Sequence, residues 1–418
     1  MGHWHKETGM SVSWPWMVVG LVVGLMVVAH GCSGDSTRIR SSPQAGATTA
    51  PQGPLPVWLK GAIRKDQREH PDRVTEVYIK NDAVEDKDLV DLRRLPSLET
   101  VILKGRKLTE NSLAYVRQVR GLKTLRILFP LTATGWRYLE SMESLKTLDI
   151  GGIRLSEGDV DALIRLRGIE SLAFSADWAP EGTLARLRAM GSLRELKVLH
   201  APEQEGALRS LRGLSQVHRL HVYLYYTAED RHLACLEGLG NLVTLDLHNT
   251  RITDKGLMSL GSLMGLTTLN LNDTAITDGG MEALAGWVKL QELYLERTRI
   301  TGKGMKSLSN MRELVRLRLD STQIDNDGLR YLQDLKRLRV LSLRKCPRIS
   351  DEGMLWLTGL ESLRGLEITS RIQAGEEAHE GPKFVRVLNP TRVKETLRGL
   401  KNLEIADFDE QALFDMFP

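Results

Sequence analysis

The chain has 418 residues, with 57 Lys and Arg against 53 Asp and Glu for a formal charge of +4, and 5% aromatic residues. That charge balance is too small to argue for a nucleic-acid partner, and no Lys/Arg block of the kind used on phosphates occurs. The length would hold more than one globular domain, but a repeat running along most of the chain makes one elongated domain sufficient.

At the front, residues 16–29 (WMVVGLVVGLMVVA) form the one strongly apolar run. It is short of the roughly 20 residues that span a bilayer and suits the apolar core of a signal peptide. Ala29, His30, Gly31 and Cys32 follow at once. This resembles the lipobox of bacterial lipoproteins, which implies Cys32 as the lipidated residue and new N-terminus, with residues 1–32 as the signal. Two other readings stay open, an uncleaved N-terminal anchor and an accident of composition. Either membrane reading places the rest of the chain outside the cytoplasm. Residues 33–56 are rich in Pro, Ser, Thr, Gly and Ala and read as a tether. As a coil it would span on the order of 27 Å, and stretched about 75 Å. Residues 57–73 carry Trp58, Leu59, Ala62 and Ile63 at helical spacing before Pro71, and read as a cap over the first repeat.

From residue 74 to 402 the sequence repeats itself. Units start at Val74, Leu98, Leu122, Leu145, Ile169, Leu193, Val217, Leu242, Leu266, Leu290, Leu314, Leu338, Leu363 and Leu400, mostly 24 residues apart. The last step is longer, with an insertion over residues 370–390. The clearest copies, LVTLDLHNTRITDKGL at Leu242 and LTTLNLNDTAITDGGM at Leu266, show the logic of one unit. Alternating leucines make a short strand with Leu245 and Leu247 inward and Thr244, Asp246 and His248 outward. Thr250, with Thr274, Thr298, Thr322 and Cys346 at matching places, is expected to bond the backbone of the turn stacked beside it. Thr253 and Asp254 read as N-cap residues of a helix opening at Gly256-Leu257. Residues 403–418, acidic with interleaved Phe408, Phe414 and Phe417, read as a C-terminal cap.

The run resembles the leucine-rich repeat family, and within it the cysteine-containing and GALA-like subtypes, where T-D-x-G-L or S-D-x-G-[LM] opens the convex helix. The segment from Leu341 through Cys346 and Asp351 to Gly353 matches the cysteine form. The resemblance implies an α/β solenoid, a leucine-rich-repeat horseshoe with a parallel concave β-sheet and convex helices. The sequence departs from the pattern where Gly302 replaces the Asp and where the unit from Leu314 reads Asp325-Asn326-Asp327. Units 122 to 217 lack T-D-x-G, which leaves their helix geometry open.

No catalytic or cofactor motif is found: no G-x-S-x-G, H-E-x-x-H, Walker loop, C-x-x-C or G-x-G-x-x-G. No cofactor or metal is expected, and the chain reads as a non-enzyme. Cys235 and Cys346 lie five repeats apart, roughly 24 Å at ordinary strand spacing, and are expected to be buried free thiols. Stacking the units places three clusters on the concave face. His221 beside Asp246, with Tyr223 and His248, forms a ligand patch, an acid–base or metal pair, or plain solvated surface. Glu292, Tyr294 and Glu296 face Arg316, Arg318 and Asp320, then Arg344, residue types common at interface hot spots but equally explained by cross-strand charge pairing. Tyr78, Lys80, Lys104 and Arg126 form a mildly basic stretch for an anionic ligand. The expected function is a membrane-anchored protein-binding scaffold with an unknown protein partner. A ubiquitin-ligase substrate receptor of the F-box kind would need 40 to 50 further residues before the repeats, and an envelope-polymer binder is the remaining alternative.

Overall fold

The computed structural model describes residues 54–63, 70–200, 205–224, 228–369, 371–374, 383–386 and 388–407. They belong to one compact unit, residues 53–418. The apolar run at 16–29, Cys32, nearly all of the tether and residues 408–418 lie outside the described residues.

Fourteen strands form one parallel sheet in strict chain order. They are β1 (Glu76–Ile79), β2 (Thr100–Leu103), β3 (Thr124–Ile127), β4 (Thr147–Ile150), β5 (Ser171–Ser175), β6 (Glu195–Leu199) and β7 (Arg219–Tyr223). Then come β8 (Leu242–Asp246), β9 (Thr268–Asn270), β10 (Glu292–Tyr294), β11 (Arg316–Arg318), β12 (Val340–Leu343) and β13 (Gly365–Ile368). β14 (Arg371–Ala374) and β15 (Lys383–Arg386) pair antiparallel as a hairpin inside the expected insertion. β16 (Glu404–Asp407) closes the sheet beside β13. The boundary drawn at residue 402 is therefore corrected: the segment assigned to a C-terminal cap begins with the last strand, because Leu403 and Ile405 continue the inward alternation.

Why these residues stack is visible in the leucine column. Leu245, Leu269, Leu293, Leu317 and Leu341 are in register and wholly buried. Each such side chain contributes roughly 1.5–3 kcal/mol only when a neighbouring repeat covers it. At the front, the helix Val57–Ala62 buries Leu59 onto the core with Leu55 and Ile63, and Trp58 and Ala62 pack at its margin. Pro71 opens a short turn of 3-10 helix, Pro71–Arg73.

The helical side mixes short α and 3-10 turns, such as Asp254–Met258, Asp278–Leu284 and Gly304–Leu308. Units that lack T-D-x-G still form helices, at Ala133–Glu140 and Glu157–Leu163, capped by Thr132 and Ser156. The Asp of the motif is not an N-cap to its own helix. Thr253 is the N-cap, while the Asp254 carboxylate accepts from Thr277 N (2.8 Å) and Thr277 Oγ1 (2.5 Å) of the next repeat. The same bonds run from Asp86 to Thr109, Glu110 to Thr132, Asp230 to Thr253 and Asp278 to Thr301. Asn326 joins Ser350 with one bond reversed: its Oδ1 accepts from Ser350 N (2.9 Å) and its Nδ2–H donates to Ser350 Oγ (2.8 Å). The glycine is explained too. A Cβ at Gly280 would stand 2.5 Å from Asp254 Oδ1, so the neighbouring carboxylate leaves room for hydrogen only. Where Gly302 replaces the Asp, Asp325 of the next repeat occupies the vacated space and caps its own helix through Gly328 N (2.9 Å).

The expectation for Thr250 is corrected. Its hydroxyl donates to Leu247 O of its own turn (2.6 Å), as Thr274, Thr298 and Thr322 do to the carbonyl three residues back. A hydroxyl on a short arm reaches its own turn, whereas the longer Cys346 Sγ–H reaches Leu319 O of the preceding repeat (3.2 Å). The bond between turns is made by the backbone. Asn249, Asp273, Arg297 and Ser321 take positive φ (54–58°) and aim their N–H at carbonyls of the next repeat. Each such conformation costs about 1–2 kcal/mol, offset in part by the hydrogen bond its amide makes to the next repeat.

Gly280→Ala is expected to lower unfolding free energy by roughly 1–3 kcal/mol, since it displaces a charge-assisted bond between repeats. Gly191→Ala, with nothing within 4 Å of the added carbon, should stay within about 1 kcal/mol of the parent. Urea denaturation of the two variants side by side checks this; equal midpoints would contradict the ladder.

Candidate functional site

The outward side chains of the sheet form rows on its open face. Between β7 and β8 the rows slip. Leu220 pairs with Leu242, but His221 then pairs with Thr244 and Tyr223 with Asp246. The expected His221–Asp246 pair is therefore corrected: the irregularity at Leu220/His221 skips Val243 and moves Asp246 opposite Tyr223. His221 instead lies between Thr244 Oγ1, 2.9 Å from Nδ1, and Glu195 Oε1, 3.2 Å from Nε2 and off the line of a hydrogen bond. Asp246 turns to His248, whose backbone N–H donates to it (3.1 Å) and whose Nδ1 is 2.8 Å away.

These groups face outward yet meet little water: His221 is 4% and Asp246 7% exposed, shielded by their row neighbours. Burial lowers the His221 pKa, opposed by Glu195 and reinforced by Lys197 and Arg219. Glu195 is held down to about 2, first by its contact with His221, against burial, and then by Lys197 at 3.3 Å. Burial raises the Tyr223 phenol, and the charges of Asp246 and Glu195 add to that. No three His, Cys, Asp or Glu groups converge to hold a metal ion among the described residues.

The second cluster is denser than the sequence suggested. Glu292, Tyr294 and their partners Arg316 and Arg318 are in register on β10 and β11. Arg318 donates to Glu296 (3.1 Å) and reaches across β12 to within 3.7 Å of Glu367. Arg344 holds Asp320 at 2.6 and 2.7 Å, and Ser342 Oγ bridges Asp320 (2.5 Å) and Glu367 (3.0 Å). Asn272 donates to Glu296 at 3.0 Å. Burial raises the Glu296 pKa, and the nearby Asp320 charge raises it further against Arg318. Burial likewise raises Tyr294, whose hydroxyl donates to Glu292 at 2.9 Å. Glu367 and Ser342 were not legible as members, because a guanidinium arm spans two strands and spacing within one repeat does not show that.

In the third stretch Lys80 and Lys104 are exposed just past β1 and β2. Tyr78 and Arg126 stand on β1 and β3 with Ile102 between them in the row. Arg126 is neutralised by Asp149 on β4 at 3.1 Å. A contact that sequence reasoning missed lies nearby: Trp178 stacks on His200, centroids 5.8 Å apart. Cys235 and Cys346 are buried and free, and burial pushes the Cys346 thiol up to about 11.

Because the folded state holds His221 neutral, the unfolded chain binds its proton first as pH falls. Stability is then expected to drop as pH goes below the ordinary histidine pKa of about 6.5. His221→Gln should flatten that part of the urea midpoint–pH curve, and the His221 imidazole resonance should titrate below the ordinary histidine range. A midpoint above that range would show the Glu195 contact outweighing burial.

Family models described as leucine rich repeat match residues 264–324 and 241–261. No curated protein matches the chain. Among solved structures, an internalin from Listeria monocytogenes is 19% identical, with 84% of this chain and 95% of that chain covered and a TM-score of 0.46. A TLR13 chain in complex with ssRNA13 is 17% identical, with 81% of this chain covered and a TM-score of 0.42. This chain spans about half, 52%, of that second chain. With matched repeats inside a chain-order series of fourteen parallel strands, the fold is a leucine-rich-repeat solenoid.

Proposed function

We propose that this chain is a non-catalytic scaffold, held outside the cytoplasm on a bacterial membrane by its N-terminal segment, that binds a protein partner on the open face of its repeat sheet. The observation that carries the reading is that face itself: fourteen parallel strands in one sheet, with Tyr223, Tyr294, Arg316 and Arg318 set among locked polar neighbours. Tyr and Arg are the side chains that most often anchor interfaces, and a preformed surface loses little entropy on binding. The anchor rests on residues 16–29 and Cys32, and the T-D-x-G-[LM] openings support placement with the cysteine-containing or GALA-like subtype.

The test is crosslinked capture from native membranes with the full chain. Tyr223→Ala/Tyr294→Ala is compared with Met258→Ser/Leu355→Ser on the helical side, both checked for unchanged thermal unfolding. A partner lost at least tenfold only by the tyrosine variant supports the reading; loss only by the helical-side variant overturns it. In the same cells the parent chain is expected in the membrane fraction. Its recovery as a soluble protein would remove the anchor, and Cys32→Ser distinguishes a lipid from a retained helix.

A further inference from the structure

Three guanidiniums stand on the open face of β11 and β12, and they differ in how well they are served. Arg318 and Arg344 donate to Glu296 and Asp320. The Arg316 side chain makes no hydrogen bond among the described residues. Its ion-pair contact is with Glu292, 3.7 Å from Nε, beyond hydrogen-bond reach, and that Nε is buried with no acceptor. Glu292 meanwhile accepts the Tyr294 hydroxyl.

The other side of Arg316 is chemically different. The row continues to Val340 and then Gly365. A Cβ at Gly365 would meet only Val340 Cγ2, at 3.9 Å. The floor there is one apolar side chain followed by bare backbone. The Arg316 side chain is 26% exposed and springs from the position next to Val340 in the row.

We propose that Arg316 is the anchor for a carboxylate of the partner, an Asp or Glu side chain in an extended segment whose adjacent apolar residue seats on Val340 beside Gly365. The inference rests on the scaffold reading and names the chemistry of its partner. A planar fork of five donors matches a carboxylate, and the Nη groups of Arg316, which are not buried and make no hydrogen bond among the described residues, are the donors a ligand can reach. The surrounding charge does not reverse this. Glu296, Asp320 and Glu367 are each bonded or paired to Arg318, Arg344 or Ser342, and Glu292 to Tyr294.

The test pans a displayed library of random heptapeptides against the full chain, then measures the enriched peptides by fluorescence anisotropy. The enriched peptides are expected to carry Asp or Glu next to Val, Ile or Leu. Arg316→Gln should weaken them tenfold or more. Glu292→Gln should tighten them several-fold, because it removes both a competitor and a like charge. Melting curves keep misfolded variants out of the comparison. Enrichment of basic peptides, or of none, or affinities unmoved by Arg316→Gln, would overturn the anchor. If a protein partner is still captured through Tyr223 and Tyr294, the scaffold reading survives that failure; if capture fails as well, both fall.

Discussion

The units of this solenoid complete one another, and at the junctions led by Asp86, Glu110, Asp230, Asp254 and Asp278 the bond that does so is a carboxylate crossing between repeats. A strand of three to five residues satisfies its backbone only through strands on either side. The helix start has the same need. Thr277 donates to Asp254 of the preceding repeat and accepts from Gly279 N of its own. The hydroxyl is thus a relay between two repeats, and the register of the helical side follows from it.

That relay also accounts for what sequence reasoning could and could not see. The strand alternation, the buried leucines and the chain-order sheet were all legible, because each depends on spacing inside one repeat. T-D-x-G was legible as a helix opening, but the reason for Asp and Gly was not. Both answer to the adjacent repeat, where Gly280 makes room for Asp254 and Thr277 receives it. The His221–Asp246 pairing failed for a related cause. Counting residues assumes that an extra one is absorbed in a loop, and here Val243 is left unpaired within the sheet, on β8 opposite the Leu220–His221 step. The same accounting missed Glu367, which joins its cluster through the reach of Arg318 rather than through any period.

The open face is a lattice of restrained charges rather than a loose polar surface. Buried acids such as Glu296 and Asp320 are tolerable because each has hydrogen-bonding partners, and breaking one pair would strand the other charge. Side chains held this way keep their rotamers without a partner present. Recognition by such a surface depends on fixed geometry more than on induced fit.

The carboxylate ladder points one way only: from Asp86 to Thr109, from Asp230 to Thr253 and from Asp278 to Thr301, the acid lies on the earlier repeat. A repeat without its successor keeps a carboxylate that water can solvate. A repeat without its predecessor keeps its own Thr cap but leaves that Thr's N–H and hydroxyl without their acceptor. Addition at the growing end is therefore favoured over addition at the front. A chain made or exported N-terminus first meets, at each step, a neighbour already holding the group that the new repeat needs.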